Sequence, residues 1–327
     1  MLEALVNSFA DKRRIKSIYQ LILGYLDRTL SCQHTETTLF SLWYFMVQNY
    51  FQDADLDPLY MLLFKKHFAT LLALNDDDHI KAAVYILEEH LLIGFVSPQE
   101  LSQIFAFVEG KYRLAHQFAD VLIKEACLNL IATLLLLQLT QSSPAQIYQQ
   151  YYGCLTLIFK DLADLQIAKT NKDQISFKNQ IMTVANRFII LSPQLFTQLL
   201  AAEQVAQHEF LAVWLQNMVT IITKHYLSSK FALKINALAI LQYLTQLPFT
   251  LFLHQFANLI KFVSPQLNIH QQNAQQNKIR DKKISTRKEE LRATQQYQDV
   301  NIVSLFKDKI QVSYFLFNNL RPIIKKQ

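Results

Sequence analysis

The side chains that could carry out chemistry are scattered along this sequence and do not form motifs. Cys32 and His34 are close together, but a zinc site needs further ligands and no second pair follows at a usual spacing. Glu88 and Glu89 are neighbours, and adjacent helix positions point about 100° apart, so these two acids do not share one site. Glycine-rich phosphate loops, the G-x-S-x-G nucleophile motif and the H-E-x-x-H zinc motif are all missing. We therefore expect no enzymatic activity, no metal ion and no cofactor.

Three consecutive acids at positions 76–78 could hold a cation by their charge alone. A calcium loop supplies further oxygen ligands at regular spacing, and none follow here. Because carboxylates stabilise the positive end of the helix dipole, we interpret these acids as a helix start. Histidine occurs singly in helical stretches, at positions 67, 90, 116, 208, 225 and 254. We interpret each as a partly exposed helix residue and not as a ligand or a base.

The elements that would position these side chains are predicted to be helices. Of 327 residues, 51% are apolar and only four are glycine, on which tight β-turns and phosphate loops depend. The longest apolar run, Ala126 to Leu139, falls short of the roughly 20 residues that cross a bilayer. Three widely spaced cysteines fit free thiols in a reducing compartment. The start, MLEALVNSFADKRRIK, is somewhat amphipathic and lacks the apolar core of a signal peptide, although a transit peptide stays open as an alternative.

Prolines divide the helical sequence into intervals of similar length. The first five, at positions 58, 98, 144, 193 and 248, are 40 to 55 residues apart. Serine precedes three of these, and Ser-Pro predicts a helix start because serine caps the helix and proline fits its first turn. Glu100 completes a capping box after Ser97. Two helices fit into each interval, which is typical of HEAT or armadillo-like repeats, so we predict an all-α protein, an α-solenoid of about seven helical hairpins.

The stretch KFALKINALAILQYLTQL (230–247) shows the helix pattern that such a solenoid needs. Apolar residues form two stripes at helical spacing, so most of the helix circumference is apolar. Lys230, Lys234 and Asn236 are then left for solvent. We predict a helix buried between two adjacent repeats, and the same interpretation applies to the stretch IKAAVYILEEHLLI (80–93).

One polar segment interrupts the apolar pattern near the end of the chain. Residues 268–298 are rich in Gln, Asn and Lys, and their seven basic and three acidic side chains account for most of the formal charge of +6. We predict a solvated loop over 268–298, between a solenoid over 1–267 and a closing C-terminal helix over 299–327. The alternative is a segment that docks an acidic partner or nucleic acid. Its basic residues are Lys278, Arg280, Lys282, Lys283, Arg287, Lys288 and Arg292.

Three segments of the second half carry a family resemblance. The first is NRFIILSPQLFTQLL (186–200), and in the second, over 213–244, Trp214 and Met218 lead one helix and KINALA (234–239) leads the next. The third, TRKEELRATQQYQDVNIVSLFKDKI (286–310), joins a basic run to a closing helix. In this order they resemble the C-terminal end of the importin-β (karyopherin) superfamily, in particular its importin-eleven-like branch.

The resemblance implies that the chain is the C-terminal part of a nuclear transport receptor. Its partners would be protein cargo, wrapped on a curved helical surface, and Ran GTPase, bound only through N-terminal repeats absent from this chain. Such a receptor shuttles between cytoplasm and nucleus and passes transiently through the nuclear pore. A piece of a longer solenoid should also have an apolar N-terminal end face, with Leu39, Trp43 and Phe45 around its first hairpins.

Two other functions stay open from the residues alone. One is a generic helical-repeat scaffold that holds proteins together without a nuclear role. The other is a helical membrane protein. In the favoured interpretation neither nucleic acid nor a membrane is a partner.

Overall fold

The computed structural model describes residues 12–32, 36–48, 57–94, 96–138, 144–164 and 172–202, together with positions 214, 235, 236, 238, 239, 242 and 243. Every regular element in the six described ranges is an α-helix, which confirms the all-α class for this part of the chain. The helices are α1 (Lys12–Ser31), α2 (Thr37–Gln48), α3 (Asp57–Leu72), α4 (Asp77–Ile93), α5 (Pro98–Gln117), α6 (Val121–Gln138), α7 (Pro144–Asp164), α8 (Lys172–Leu191) and α9 (Pro193–Ala202). The domain boundaries predicted at 267 and 298 lie outside the described residues.

The chain divides into two compact units, residues 1–134 and 135–327. In the first unit α1 packs against α3 and α2 packs against α4, while α1 also contacts α2 and α4 also contacts α5. Helices that are two apart along the chain therefore lie side by side. In the second unit α7, α8 and α9 all contact one another.

The helix starts predicted from the Ser-Pro pairs are confirmed. Helices α5, α7 and α9 begin at the prolines at 98, 144 and 193. Before α5, the Ser97 hydroxyl oxygen accepts a hydrogen bond from the Glu100 N–H (3.2 Å) and the Glu100 carboxylate accepts one from the Ser97 N–H (2.8 Å), which is the predicted capping box. The acids at 76–78 also start a helix, since the Asp76 carboxylate accepts a hydrogen bond from the Asp78 N–H (3.2 Å) at the start of α4.

Helix α4 is buried on most of its circumference, as its sequence predicts. Its buried residues are Ile80, Ala82, Ala83, Val84, Ile86, Leu87, Glu88, His90, Leu91, Leu92 and Ile93. Each fully buried Leu or Ile side chain contributes about 1.5–3 kcal/mol. The helix ends at Gly94, whose φ of 88° lies in the left-handed region that glycine adopts without strain.

Aromatic rings form the core of the second unit. The ring of Phe196 on α9 meets those of Phe159 and Tyr243 edge to face, with centroids 5.0 and 5.3 Å apart, and Tyr243 in turn meets Trp214 at 6.0 Å. Such pairs add about 0.5–1.5 kcal/mol each beyond the burial of their area. Burial also raises the pKa of Tyr243 to about 12.

Candidate functional site

The residues predicted to dock a partner lie outside the part of the chain that the structure describes. This holds for all seven basic residues between Lys278 and Arg292, so their role stays a prediction. Of the Cys32 and His34 pair, only Cys32 is described, and it is exposed after the end of α1. Among the described residues, no group of three or more His, Cys, Asp or Glu side chains could hold a metal ion.

The neighbouring acids Glu88 and Glu89 have different environments. Glu88 is buried, and its carboxylate accepts a hydrogen bond from the Thr133 hydroxyl of α6 (2.8 Å), whereas Glu89 is partly exposed. Tyr44 of α2 lies close to both acids. Burial, and then the negative charges of Glu89 and Glu88, raise the pKa of Tyr44 to about 12. This arrangement ties α4 to α2 and α6.

A second polar contact joins α1 to α3. Asp27 Oδ1 lies 2.8 Å from Lys66 Nζ and 2.9 Å from His67 Nε2. The hydrogen bond from Lys66, and then the one from His67, hold the pKa of Asp27 below its usual value. The Asp27 side chain is 38% exposed, so its charge is not buried. The main effect of this contact is to position α1 against α3.

The expectation that the helical histidines are partly exposed is wrong for two of them. His67 is 4% exposed and His90 is fully buried. The His90 ring stacks on Phe64 with centroids 3.3 Å apart, and its Nδ1 lies 3.0 Å from the Tyr60 hydroxyl. The partners of this buried ring, a stacked phenylalanine and a hydroxyl on Nδ1, both come from α3, so the spacing of residues along α4 cannot reveal them.

An apolar groove of about 1030 Å³ lies between α1 and α2. Two of its α1 residues are well exposed, Leu21 at 74% and Tyr25 at 54%. Its lining is Leu21, Ile22, Tyr25, Thr37, Thr38, Leu39, Ser41, Leu42, Tyr44, Phe45 and Gln48. Apolar walls with a few hydroxyl and amide groups are the usual surroundings of a bound helix or other apolar ligand.

A smaller apolar surface surrounds the turn between α5 and α6. Leu114, Phe118 and Leu122 are 45%, 75% and 54% exposed. Ala119 within the turn has a positive φ of 55° and completes the reversal of the chain. These three side chains and the α1/α2 groove are two exposed apolar features among the described residues, and Leu59 and Leu62 of α3 are exposed as well, at 42% and 65%.

A buried amide network connects the first two segments on which the family resemblance depends. Asn186 of α8 is fully buried, its side-chain oxygen accepts a hydrogen bond from the Trp214 indole N–H (2.9 Å), and its side-chain nitrogen donates to Asn236. The prediction that Asn236 faces solvent is wrong, since it is only 5% exposed. Asn236 lies outside the two apolar stripes of its segment, so no local signal in the sequence indicated this burial; a buried amide needs partners, and here they come from another helix.

No protein-family model, no curated protein and no solved structure matches this sequence. None of the described helices combines the length and the apolar character that crossing a bilayer requires.

Proposed function

We propose that this chain is an α-solenoid of HEAT- or armadillo-like hairpins whose function is to bind other proteins. The observation that carries the proposal is the packing of α1 on α3 and of α2 on α4. When helical hairpins stack, first helices meet first helices and second helices meet second helices, so contacts skip one helix along the chain. The recurring helix starts at prolines 98, 144 and 193 support the same arrangement.

The mechanism of such a protein is mechanical. Each hairpin contacts mainly its neighbours, so small changes at successive interfaces alter the curvature of the binding surface. Binding surfaces of this kind use exposed apolar side chains, of which Leu21 and Tyr25 in the α1/α2 groove are examples.

The narrower proposal is a nuclear transport receptor of the importin-β superfamily, of which this chain would be the C-terminal part. It is supported by the three sequence segments that carry the resemblance. The amide network of Asn186, Trp214 and Asn236 also supports it, because it joins residues of the first segment to residues of the second. Protein cargo would be the direct partner, and Ran would act through N-terminal repeats outside this chain. The protein would then shuttle between cytoplasm and nucleus.

Affinity capture with and without Ran separates this receptor from a generic scaffold. The chain is joined to the N-terminal repeats of a transport receptor, and captured proteins are quantified before and after addition of GTP-locked Ran. A receptor releases its cargo when Ran is added, whereas a scaffold retains its partners. Retention of every captured protein would overturn the transport proposal and leave the scaffold.

Two further measurements test the remaining predictions. A variant with the seven basic residues between Lys278 and Arg292 changed to Gln is compared with the parent chain in the same capture. If the segment docks a partner, the captured set changes and its binding weakens with added salt; an unchanged set identifies a solvated loop. Partition of the chain into the aqueous phase of a detergent solution is the result expected if it is no membrane protein, and recovery in the detergent phase would contradict this.

A further inference from the structure

Helices α1 and α3 lie side by side and run in the same direction. Phe40 of α2 meets His79 of α4, and one turn later Tyr44 meets Tyr85, which lies further along α4, so α2 and α4 are parallel. Short links join α1 to α2 and α3 to α4. Helices joined by such short links are antiparallel neighbours. Because α2 and α4 are parallel, α1 and α3 are parallel as well.

The contact of Asp27 with Lys66 shows which residues of α1 and α3 lie at the same level. Leu21 is six residues before Asp27, and Leu59 is seven residues before Lys66. Parallel helices rise by about 1.5 Å per residue, so these two leucines are at about the same level. Arg28 directly follows Asp27 and is therefore level with Lys66, two turns further along both helices.

The exposed face of α3 beside this contact carries two leucines. The Lys66 side chain reaches α1 and is still 47% exposed, so it marks the outer side of the contact. Leu59 and Leu62 are seven and four positions before Lys66, which places them within about 40° of it around the helix. Both are exposed, whereas the buried residues of α3 occupy its other side. Lys65 is exposed as well and adds a second cation.

The neighbouring side of α1 has a gap between an exposed leucine and an exposed arginine. Turning outward from Asp27 around α1, Gly24 comes first, at about 60°. Arg28 and Leu21 follow at about 100° and 120°, and both are exposed. Gly24 has no side chain, and a Cβ placed there would meet the Arg28 guanidinium at 3.9 Å as its nearest neighbour. The surface of α1 is therefore low at this point, level with Leu62 of α3 to within one residue.

These residues form one elongated surface along the seam between α1 and α3, which we call the α1/α3 surface. Leucines lie at one end and cations at the other, about 10.5 Å apart along the helix axes, which is the rise of seven residues. Between the two ends, the low position at Gly24 leaves a furrow between two parallel helices. The side chains of the surface are Leu21, Arg28, Leu59, Leu62, Lys65 and Lys66.

We propose that the α1/α3 surface binds an amphipathic helix of a partner protein, in which apolar residues and carboxylates lie two turns apart on one face. A furrow between two helices is a packing site for a third helix, and the leucines bury the apolar residues of that helix.

Charge complementarity selects an acidic partner. Asp27 at the seam is already held by Lys66 and His67, so Arg28 and Lys65 give this end of the surface its positive charge. A lipid surface fits less well, because its headgroups lie above its acyl chains in depth, whereas the leucines and cations here follow one another along the helix axes. This inference rests on the proposed protein-binding function and not on a role in transport.

Peptide binding to the full chain tests the proposal. The probe is a fluorescein-labelled synthetic helix of about 16 residues with Leu at i, i+3 and i+4 and Glu at i+7, i+10 and i+11, and its binding is measured by fluorescence anisotropy. The control peptide has Lys in place of each Glu. We expect the Glu peptide to bind at least about tenfold more tightly than the Lys peptide, and we expect added salt to reduce this difference.

Three variants of the chain locate the binding site. Leu62→Asp places a carboxylate among the leucines and should weaken binding of the Glu peptide by about tenfold or more. Arg28→Glu should remove the preference for the Glu peptide over the Lys peptide. Leu122→Asp, at an exposed position of α6 outside the α1/α3 surface, is the matched control and should change neither. All three positions are exposed, so far-UV circular dichroism should show unchanged helix content.

Four outcomes would overturn the proposal. The first is a Glu peptide that fails to bind or binds no better than the Lys peptide. The second is a Leu62→Asp variant that keeps its helix content and weakens binding no more than Leu122→Asp does. The third is sedimentation of the chain with vesicles that contain phosphatidylserine, abolished by Leu62→Asp, which would identify a lipid surface as the occupant. The fourth is a dimer in light scattering that Leu62→Asp dissociates, which would identify a second copy of the chain.

Failure of this surface is distinguishable from failure of the protein-binding function. If other surfaces carry that function, the parent chain and the Leu62→Asp variant capture the same proteins from a lysate although neither binds the Glu peptide. That result would overturn the α1/α3 surface as a docking site and leave the protein-binding function in place.

Discussion

Replacement of Asn186 by leucine should destabilise the second unit strongly. The side chain is fully buried and makes two hydrogen bonds, one from the Trp214 indole and one to Asn236. Leucine has a similar volume, so the substitution leaves no large cavity and mainly removes the amide. The buried indole N–H and the Asn236 side-chain oxygen then both lose this partner.

The expected magnitude follows from those two groups. A buried donor or acceptor left without its partner costs about 1–3 kcal/mol, so the two together cost about 2–6 kcal/mol. Small domains are stable by about 5–15 kcal/mol in total, which makes this a large fraction. Changing Asn236 to leucine as well removes the second orphaned group, so the double variant should be less destabilised than the sum of the two single variants.

Urea unfolding followed by tryptophan fluorescence measures this effect. The chain has two tryptophans, Trp43 and Trp214, and a Trp43→Phe background leaves Trp214 as the reporter of the second unit. Gln198→Ala, at an exposed position of α9, is the matched control and should change the free energy of unfolding by no more than about 0.5 kcal/mol. A cost for Asn186→Leu no larger than that of the control would refute the assigned role of the amide network.

Three smaller effects follow from contacts of the first unit. Asp27→Asn should lower the free energy of unfolding by at most about 1 kcal/mol, because solvent screens the pair. Hydrogen bonding holds the folded pKa of Asp27 below 3.8, so this difference should be present above pH 4 and should vanish as the pH falls through the lowered pKa. Urea unfolding at several pH values checks this. Thr133→Val removes the hydroxyl that donates to the buried Glu88 carboxylate and should cost about 1.5–3 kcal/mol in thermal unfolding, with equal melting temperatures as the contradicting result. Ser97→Ala removes the cap of α5 and should cost about 0.5–2 kcal/mol, whereas Ser97→Gly should cost only a few tenths.

Local features of the fold could be predicted well from the sequence. The capping box at Ser97 and the start of α4 after Asp76 depend on residues within one turn of each other, so their chemistry is readable along the chain. The burial of α4 was predictable for a similar reason, since apolar residues on most of its circumference require neighbours on several sides.

Features that depend on contacts between distant segments could not be predicted. His90 is buried against another helix, where Phe64 stacks on its ring and the Tyr60 hydroxyl hydrogen-bonds to its Nδ1. Asn236 is buried because Asn186, fifty residues earlier, offers a partner. For the groove, the sequence could indicate only that the first hairpins are apolar. Its position depends on which faces of α1 and α2 meet α3 and α4.

Small-angle X-ray scattering of the full chain tests the solenoid proposal most directly. A compact domain of this length has a radius of gyration of about 20 Å. Stacked hairpins predict a clearly larger value together with a pair-distance distribution that is skewed toward long distances. A radius of gyration close to 20 Å with a symmetric distribution would show that the helices enclose one common core, and it would contradict the stacked arrangement.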